Sequence, residues 1–117
     1  MKAKFTKNNL LNDNEIAILH EFDFADGSPM LEAWCNEGPY ATVTIFVPDH
    51  LCEPGWVNIH HDVINCNGYD GLDFLGSFLD TFVEEEKEIS YGYARSLQVK
   101  LKDGWENMVI DTREVQS

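Results

Sequence analysis

The side chains best suited to chemistry in this 117-residue chain gather in its middle: His50, Cys52, His60, His61, Asp62 and Cys66. A structural zinc ion takes about four nitrogen or sulfur ligands in a tetrahedron, usually including a short pair such as Cys-x2-Cys. One residue separates His50 from Cys52, too tight for most zinc turns, and His60 and His61 are adjacent, so on a strand they face opposite sides. The pattern reads as a strand histidine beside a small buried thiol, and no metal is expected. A cysteine–histidine pair built on Cys52 or Cys66 lacks the surroundings of a nucleophile, with neither a strand-to-helix elbow nor a Gly-rich anion loop. Asn67-Gly68 and Asp70-Gly71 share fragments with a calcium loop but not its twelve-residue ligand pattern, and read as turn and helix-start residues. Trp34, Trp56 and Trp105 read as core or sheet-face residues, whereas exposed aromatics among acids would be interface anchors. No enzyme chemistry and no cofactor are expected.

Charge is the stronger signal. Residues 8–86 contain sixteen acids and no lysine or arginine, and all eight basic residues lie outside this stretch. Surfaces ordinarily mix the two signs, which limits self-repulsion and allows weak favourable pairs. The net charge of −13 should repel nucleic acid and attract a cationic partner. A hydrophobic content of 44% is too high for a disordered acidic tail, so the chain should fold, as one domain over residues 1–117. No apolar run approaches the roughly 18 residues of a membrane span, residues 1–11 lack a signal-peptide core, and three cysteines without a Cys-x-x-Cys pair suit a reducing cytoplasm.

The elements that must position these residues follow from periodicity. Residues 1–13 form a basic, flexible arm or edge strand carrying Lys2, Lys4 and Lys7. Residues 15–22 alternate, with Ile16, Ile18, His20 and Phe22 on one face of a strand. Asp26-Gly27-Ser28-Pro29 turns the chain into a second strand over residues 30–36, and Asn36-Glu37-Gly38-Pro39 makes a hairpin into a third. That third strand, residues 40–47, is dense in β-branched residues and suits the sheet centre. Residues 56–61 read as a fourth strand and residues 62–69 as a polar connection. From Asp70 the period lengthens to about 3.6, and Leu72, Leu75, Leu79, Phe82 and Val83 mark the buried side of a helix ending near Glu85. Strands over residues 88–94 and 97–102, an Asp103-Gly104 hairpin turn, a last strand over residues 105–110 and a tail over residues 111–117 complete the chain. The order predicts an α+β domain, an antiparallel sheet of about five to seven strands with one main helix on one face.

On that helix Asp73, Ser77, Asp80 and Glu84 fall in one polar stripe opposite the leucines. Glu84, Glu85 and Glu86 would oppose the dipole at its C-terminus, at a few tenths of a kcal/mol each. A sequence selected for stability would put lysine there, which points to a partner-binding role for Asp73, Asp80, Glu84, Glu85 and Glu86, joined by the turn acids Glu21, Asp23 and Asp26. Duplex DNA carries one charge per about 1.7 Å of axis, and carboxylates on a rigid surface can compete for a site built for it. The expected function is therefore a nucleic-acid mimic that inhibits a basic host defence factor, a nuclease or nucleic-acid-binding complex, of the anti-CRISPR or anti-restriction type. The alternative is a non-catalytic accessory interaction domain whose acidity serves solubility.

Two stretches resemble a known family. Residues 38–48, Gly-Pro-Tyr-Ala-Thr-Val-Thr-Ile-Phe-Val-Pro, are similar to its Gly-x-x-Tyr-Ala-x-x-Thr-Val strand leading to a proline, and Ile64-Asn65-Cys66-Asn67 followed by Leu72-Asp73-Phe74-Leu75 to its Asp/Asn-rich turn entering a short helix. The family is domain of unknown function 4313, found in phages and conjugative elements of gut bacteria. Ile45-Phe46 and Cys66 depart from its pattern. The resemblance, over residues 14–95, implies a small α+β domain of mobile-element origin and supplies no catalytic residues; the expected place of action is the cytoplasm of a bacterial host.

Overall fold

A computed structural model of the chain describes residues 1–65 and 71–113, the side chain of Tyr91 excepted. Among these residues the protein is α+β, with nine short strands in two sheets. In the first, β1 (Lys4–Phe5) and β9 (Ile110–Asp111) both lie parallel to β2 (Glu15–Asp23), while β2, β3 (Pro29–Cys35) and β4 (Gly38–Thr42) run antiparallel. The second is antiparallel in the order β5 (Thr44–Ile45), β6 (Trp56–Ile59), β8 (Ala94–Leu101), β7 (Val83–Tyr91). The single antiparallel sheet expected from the sequence is thus replaced by two sheets, one of them mixed.

Val43 makes the division. Its N–H donates to Leu31 O of β3, at 2.9 Å, and its carbonyl accepts from His60 N, just beyond β6, at 2.8 Å. The β-branched run stays extended but passes from one sheet to the other, so it forms an edge in each rather than a centre. Thr44 covers the transition: its hydroxyl accepts from Leu31 N at 2.9 Å and donates to Pro29 O at 2.8 Å, standing in for the departed backbone. One continuous core joins the sheets, with Ile16, Ile18, Leu31 and Ala33 from the first meeting Val57, Ile59, Val99 and Leu101 from the second.

The short helix α1 (His61–Asn65) replaces the first part of the expected polar connection. The main helix, α2 (Phe74–Phe82), buries Phe74, Phe78 and Phe82, spaced by four, while Leu75 and Leu79 are only half-buried. Phe5 of β1 meets all three phenylalanine rings edge-on, at 5.1–6.3 Å between centroids. The start of the chain is therefore not a loose arm. Ala3 N donates to Ser77 Oγ and Asp73 N to Met1 O, while Asn14, at φ 59, returns the chain beside it and accepts from Lys4 N.

The helix ends at Phe82, not near Glu85, and Val83 begins β7 paired with Leu101. The residue after β8 caps it: Lys102 N donates to Phe82 O at 2.7 Å, and Lys102 Nζ to Asp80 O at 2.8 Å. The hairpin between β7 and β8 turns at Gly92-Tyr93, where Gly92 takes the positive φ (61°) that such tight turns favour. Gly104 also has positive φ, as expected, but leads into a 3-10 helix (Trp105–Met108) rather than a strand. Residues 111–113 are anchored, Thr112 N donating to His20 O. No helix among the described residues is long and apolar enough to cross a membrane.

Candidate protein-binding surface

The acids expected to form a helix stripe are dispersed by the fold. Asp73 is the N-cap of α2, its Oδ1 accepting from Gly76 N at 3.0 Å. A β-carbon at Gly76 would collide with that carboxylate, so the sequence keeps glycine inside a helix for its cap. Ser77 is buried, its hydroxyl donating to Asp73 O. Asp80 stays exposed, 3.7 Å from Lys2 Nζ. Glu84, Glu85 and Glu86 lie on strand β7, so the helix-dipole argument no longer applies to them. Glu84 is 3.8 Å from Lys100 Nζ and Glu88 is 3.1 Å from Arg95, while Glu85, across the ladder from that same Lys100, and Glu86 are exposed and make no ion pair among the described residues. Folding brings bases from both ends of the chain onto acids of its middle, a mixing invisible along the sequence. These exposed pairs contribute little stability each.

The turn acids divide in the same way. Asp23 lies 2.7 Å from His20 Nε2 and 3.0 Å from Arg113 Nη1, tying β2 to the end of the chain. Arg113 also grips Asp111, whose carboxyl its hydrogen bonds hold far below the usual carboxylate range. Asp26 accepts from Ser28 N, Ser28 Oγ and Cys52 N, pinning the loop before β6 to the β2–β3 turn. Burial opposes ionisation of Asp26, but the bonds from Ser28 and Cys52 outweigh it and lower its pKa from the ordinary 3.8. The stability these bonds add is complete above that pH and fades as pH falls through the lowered value. In urea unfolding, the advantage of wild type over Asp26→Asn should therefore be present at neutral pH and shrink in acid; an advantage constant with pH would contradict this.

Glu21 alone of the turn acids opens onto a broader surface. A bulge between His20 and Phe22 pairs Phe22 with Met30, while Leu19 pairs with Glu32 and Ala17 with Trp34. Met30, Glu32 and Trp34 alternate with the fully buried Leu31 and Ala33, so these side chains share the face turned away from the core. Phe22 is 48% exposed on it, and its ring meets Phe24 edge-on. The Glu32 pKa is raised, first by partial burial and then by the neighbouring Glu21 carboxyl. Glu32 and Phe22 were both missed from the sequence. Simple alternation puts Phe22 with His20, and only the bulge moves it across.

The histidine–cysteine constellation comes apart. His60 Nδ1 accepts from Asp62 N, starting α1, while Cys52 lies in the loop over β6 and β8; Cys66 falls outside the described residues. Under that loop the buried Asn58 and Gln98 bond each other at 3.0 Å and both donate to His50 O. Burial, with the nearby Asp26 charge, pushes the Cys52 thiol up to about 11, which leaves no nucleophile at neutral pH. Iodoacetamide at neutral pH should accordingly modify Cys52 far more slowly in the native protein than in urea, as mapped by peptide mass; equal rates would show an open loop. Among the described residues no group of three or more His, Cys, Asp or Glu could hold a metal ion. A cleft of about 400 Å³ between residues 26–29, 53–55 and 100–106 mixes Asp26, Glu53, Asp103 and Glu106 with Lys100 and Lys102, so its acids are interleaved with bases. Comparison with protein-family models, with curated proteins and with solved structures finds no match.

Proposed function

We propose that this protein is an acidic interaction module that binds and inhibits a basic nucleic-acid-binding protein, a nuclease or related host defence factor, by presenting carboxylates where that protein binds phosphates. In this reading it catalyses no reaction, takes no cofactor and acts in the bacterial host cytoplasm on behalf of a phage or mobile element. The supporting observation is that Glu21, Glu32, Glu85 and Glu86 make no ion pair among the described residues of a chain with net charge −13. A field of that sign steers a cationic partner and speeds its association in a salt-sensitive way. The assay is cleavage of duplex DNA by restriction and RNA-guided nucleases, titrated with the protein across roughly 50–500 mM salt, where Debye screening strengthens. Stoichiometric protection that weakens with salt supports the proposal; unchanged cleavage at every ratio sinks it. A second reading, an accessory interaction domain whose acidity serves solubility, is favoured by the interleaving of Lys2, Arg95, Lys100 and Arg113 with acids, and it expects no protection.

A further inference from the structure

The face of the first sheet turned away from α2 breaks the usual rule for a solvated sheet surface. Such faces are ordinarily polar, alternating with the buried one. Here Leu19, Phe22, Met30 and Trp34 share that face, Phe22 half open to water and the other three partly covered. In their midst Glu32 lies directly across from Leu19, which sets it diagonal to Glu21, two residues further along β2. Like charges brought together on neighbouring strands destabilise a sheet. An arrangement that spends stability on both an exposed aromatic and a like-charge pair is explained by what it can bind.

We infer that this face is the docking surface, and that its occupant is a segment of a basic protein that seats an arginine or lysine between Glu21 and Glu32 and lays apolar side chains on Phe22 and Met30. The inference rests on the proposed binding of a basic protein and gives that binding a place. Charge selects among occupants. A second copy of the chain would bring another net charge of −13, and nucleic acid or an anionic membrane would be repelled likewise. An arginine fork can bond both carboxyls at once, while the surrounding apolar side chains exclude water and strengthen the pair.

The test is a titration of isotope-labelled protein, followed by amide NMR, with two probes: an extended peptide of arginines alternating with leucine and phenylalanine, and nona-arginine. The alternating peptide should shift the amides of Leu19, Phe22, Met30 and Glu32 and bind more tightly than nona-arginine. Glu32→Gln and Phe22→Ala should each weaken it by about tenfold or more, as expected for a central anchor. Glu85→Gln/Glu86→Gln should leave its affinity within about twofold, these being peripheral charges. Folding is not at risk, since Glu32→Gln relieves repulsion and Phe22 is half exposed; denaturation midpoints no lower than wild type for Glu32→Gln would show this. Shifts confined to residues 84–88, with affinity lost in Glu85→Gln/Glu86→Gln, would overturn the docking face yet keep the acidic-binder reading. No shift with either peptide at low salt would overturn both.

Discussion

Phe78→Ala is expected to destabilise the fold by about 3–5 kcal/mol, the range for emptying a buried phenylalanine site. Phe78 is 0% exposed, stacks 6.1 Å from Phe74 and 4.9 Å from Phe82, and receives the edge of Phe5 at 6.3 Å. Such ring pairs add about 0.5–1.5 kcal/mol each beyond area burial, which places the loss toward the upper end. The effect should also reach the start of the chain, because Phe5 loses one of the rings that hold β1 against the helix. A domain of this size has only about 5–15 kcal/mol in total, so the variant would be close to unfolding at ambient temperature. Urea unfolding should show a lowered midpoint at an unchanged slope. A loss below about 1 kcal/mol would mean that the phenylalanine column is not the core.

Thr44→Val is expected to cost roughly 2–4 kcal/mol although shape and β-branching are kept, because two buried backbone groups each lose their partner. Thr44 is 1% exposed, and its hydroxyl serves Leu31 N and Pro29 O where the strand leaves the first sheet. Valine leaves that donor and that acceptor unpaired in the interior. Thr44→Ser keeps the hydroxyl and loses one methyl, so it should cost about 1 kcal/mol. Thermal or urea unfolding of the three proteins checks the order. Serine worse than valine would mean that packing, not hydrogen bonding, matters at the crossing.

Much of the local structure was legible in the sequence. Alternation gives β2, the turns at Gly27 and Gly38 bound β3, and the 3.6 period gives α2. What was not legible is set by tertiary pairing. Nothing in Val83-Glu84-Glu85-Glu86 punctuates the helix, since no glycine or proline stands there; it ends because Val83 pairs with Leu101 and Lys102 takes its last carbonyls. Lys102 is 22 residues from Asp80, too far for any window of local charge to register that the helix C-terminus is neutralised. The split of residues 40–47 between two sheets is also silent, because a β-branched strand looks the same whichever neighbour it has. The candidate surface suffers most from this. Asp23, Asp26 and Asp73 were singled out for charge and hold turns and a cap instead, whereas Glu32 and Phe22 acquire meaning only through a bulge that alternation cannot foresee.

The claim that the carboxylates of this protein occupy a site made for phosphates is tested most directly by displacement. Fluorescent duplex DNA bound to a basic nuclease is titrated with wild type and with the Glu21→Gln/Glu32→Gln double variant, and anisotropy is followed at low and moderate salt. Wild type should release the DNA in a saturable manner that weakens as salt rises, and the double variant should need about tenfold more protein, as for loss of a desolvated charge pair. DNA that stays bound at saturating wild type, or is released equally well by the double variant, would contradict the account.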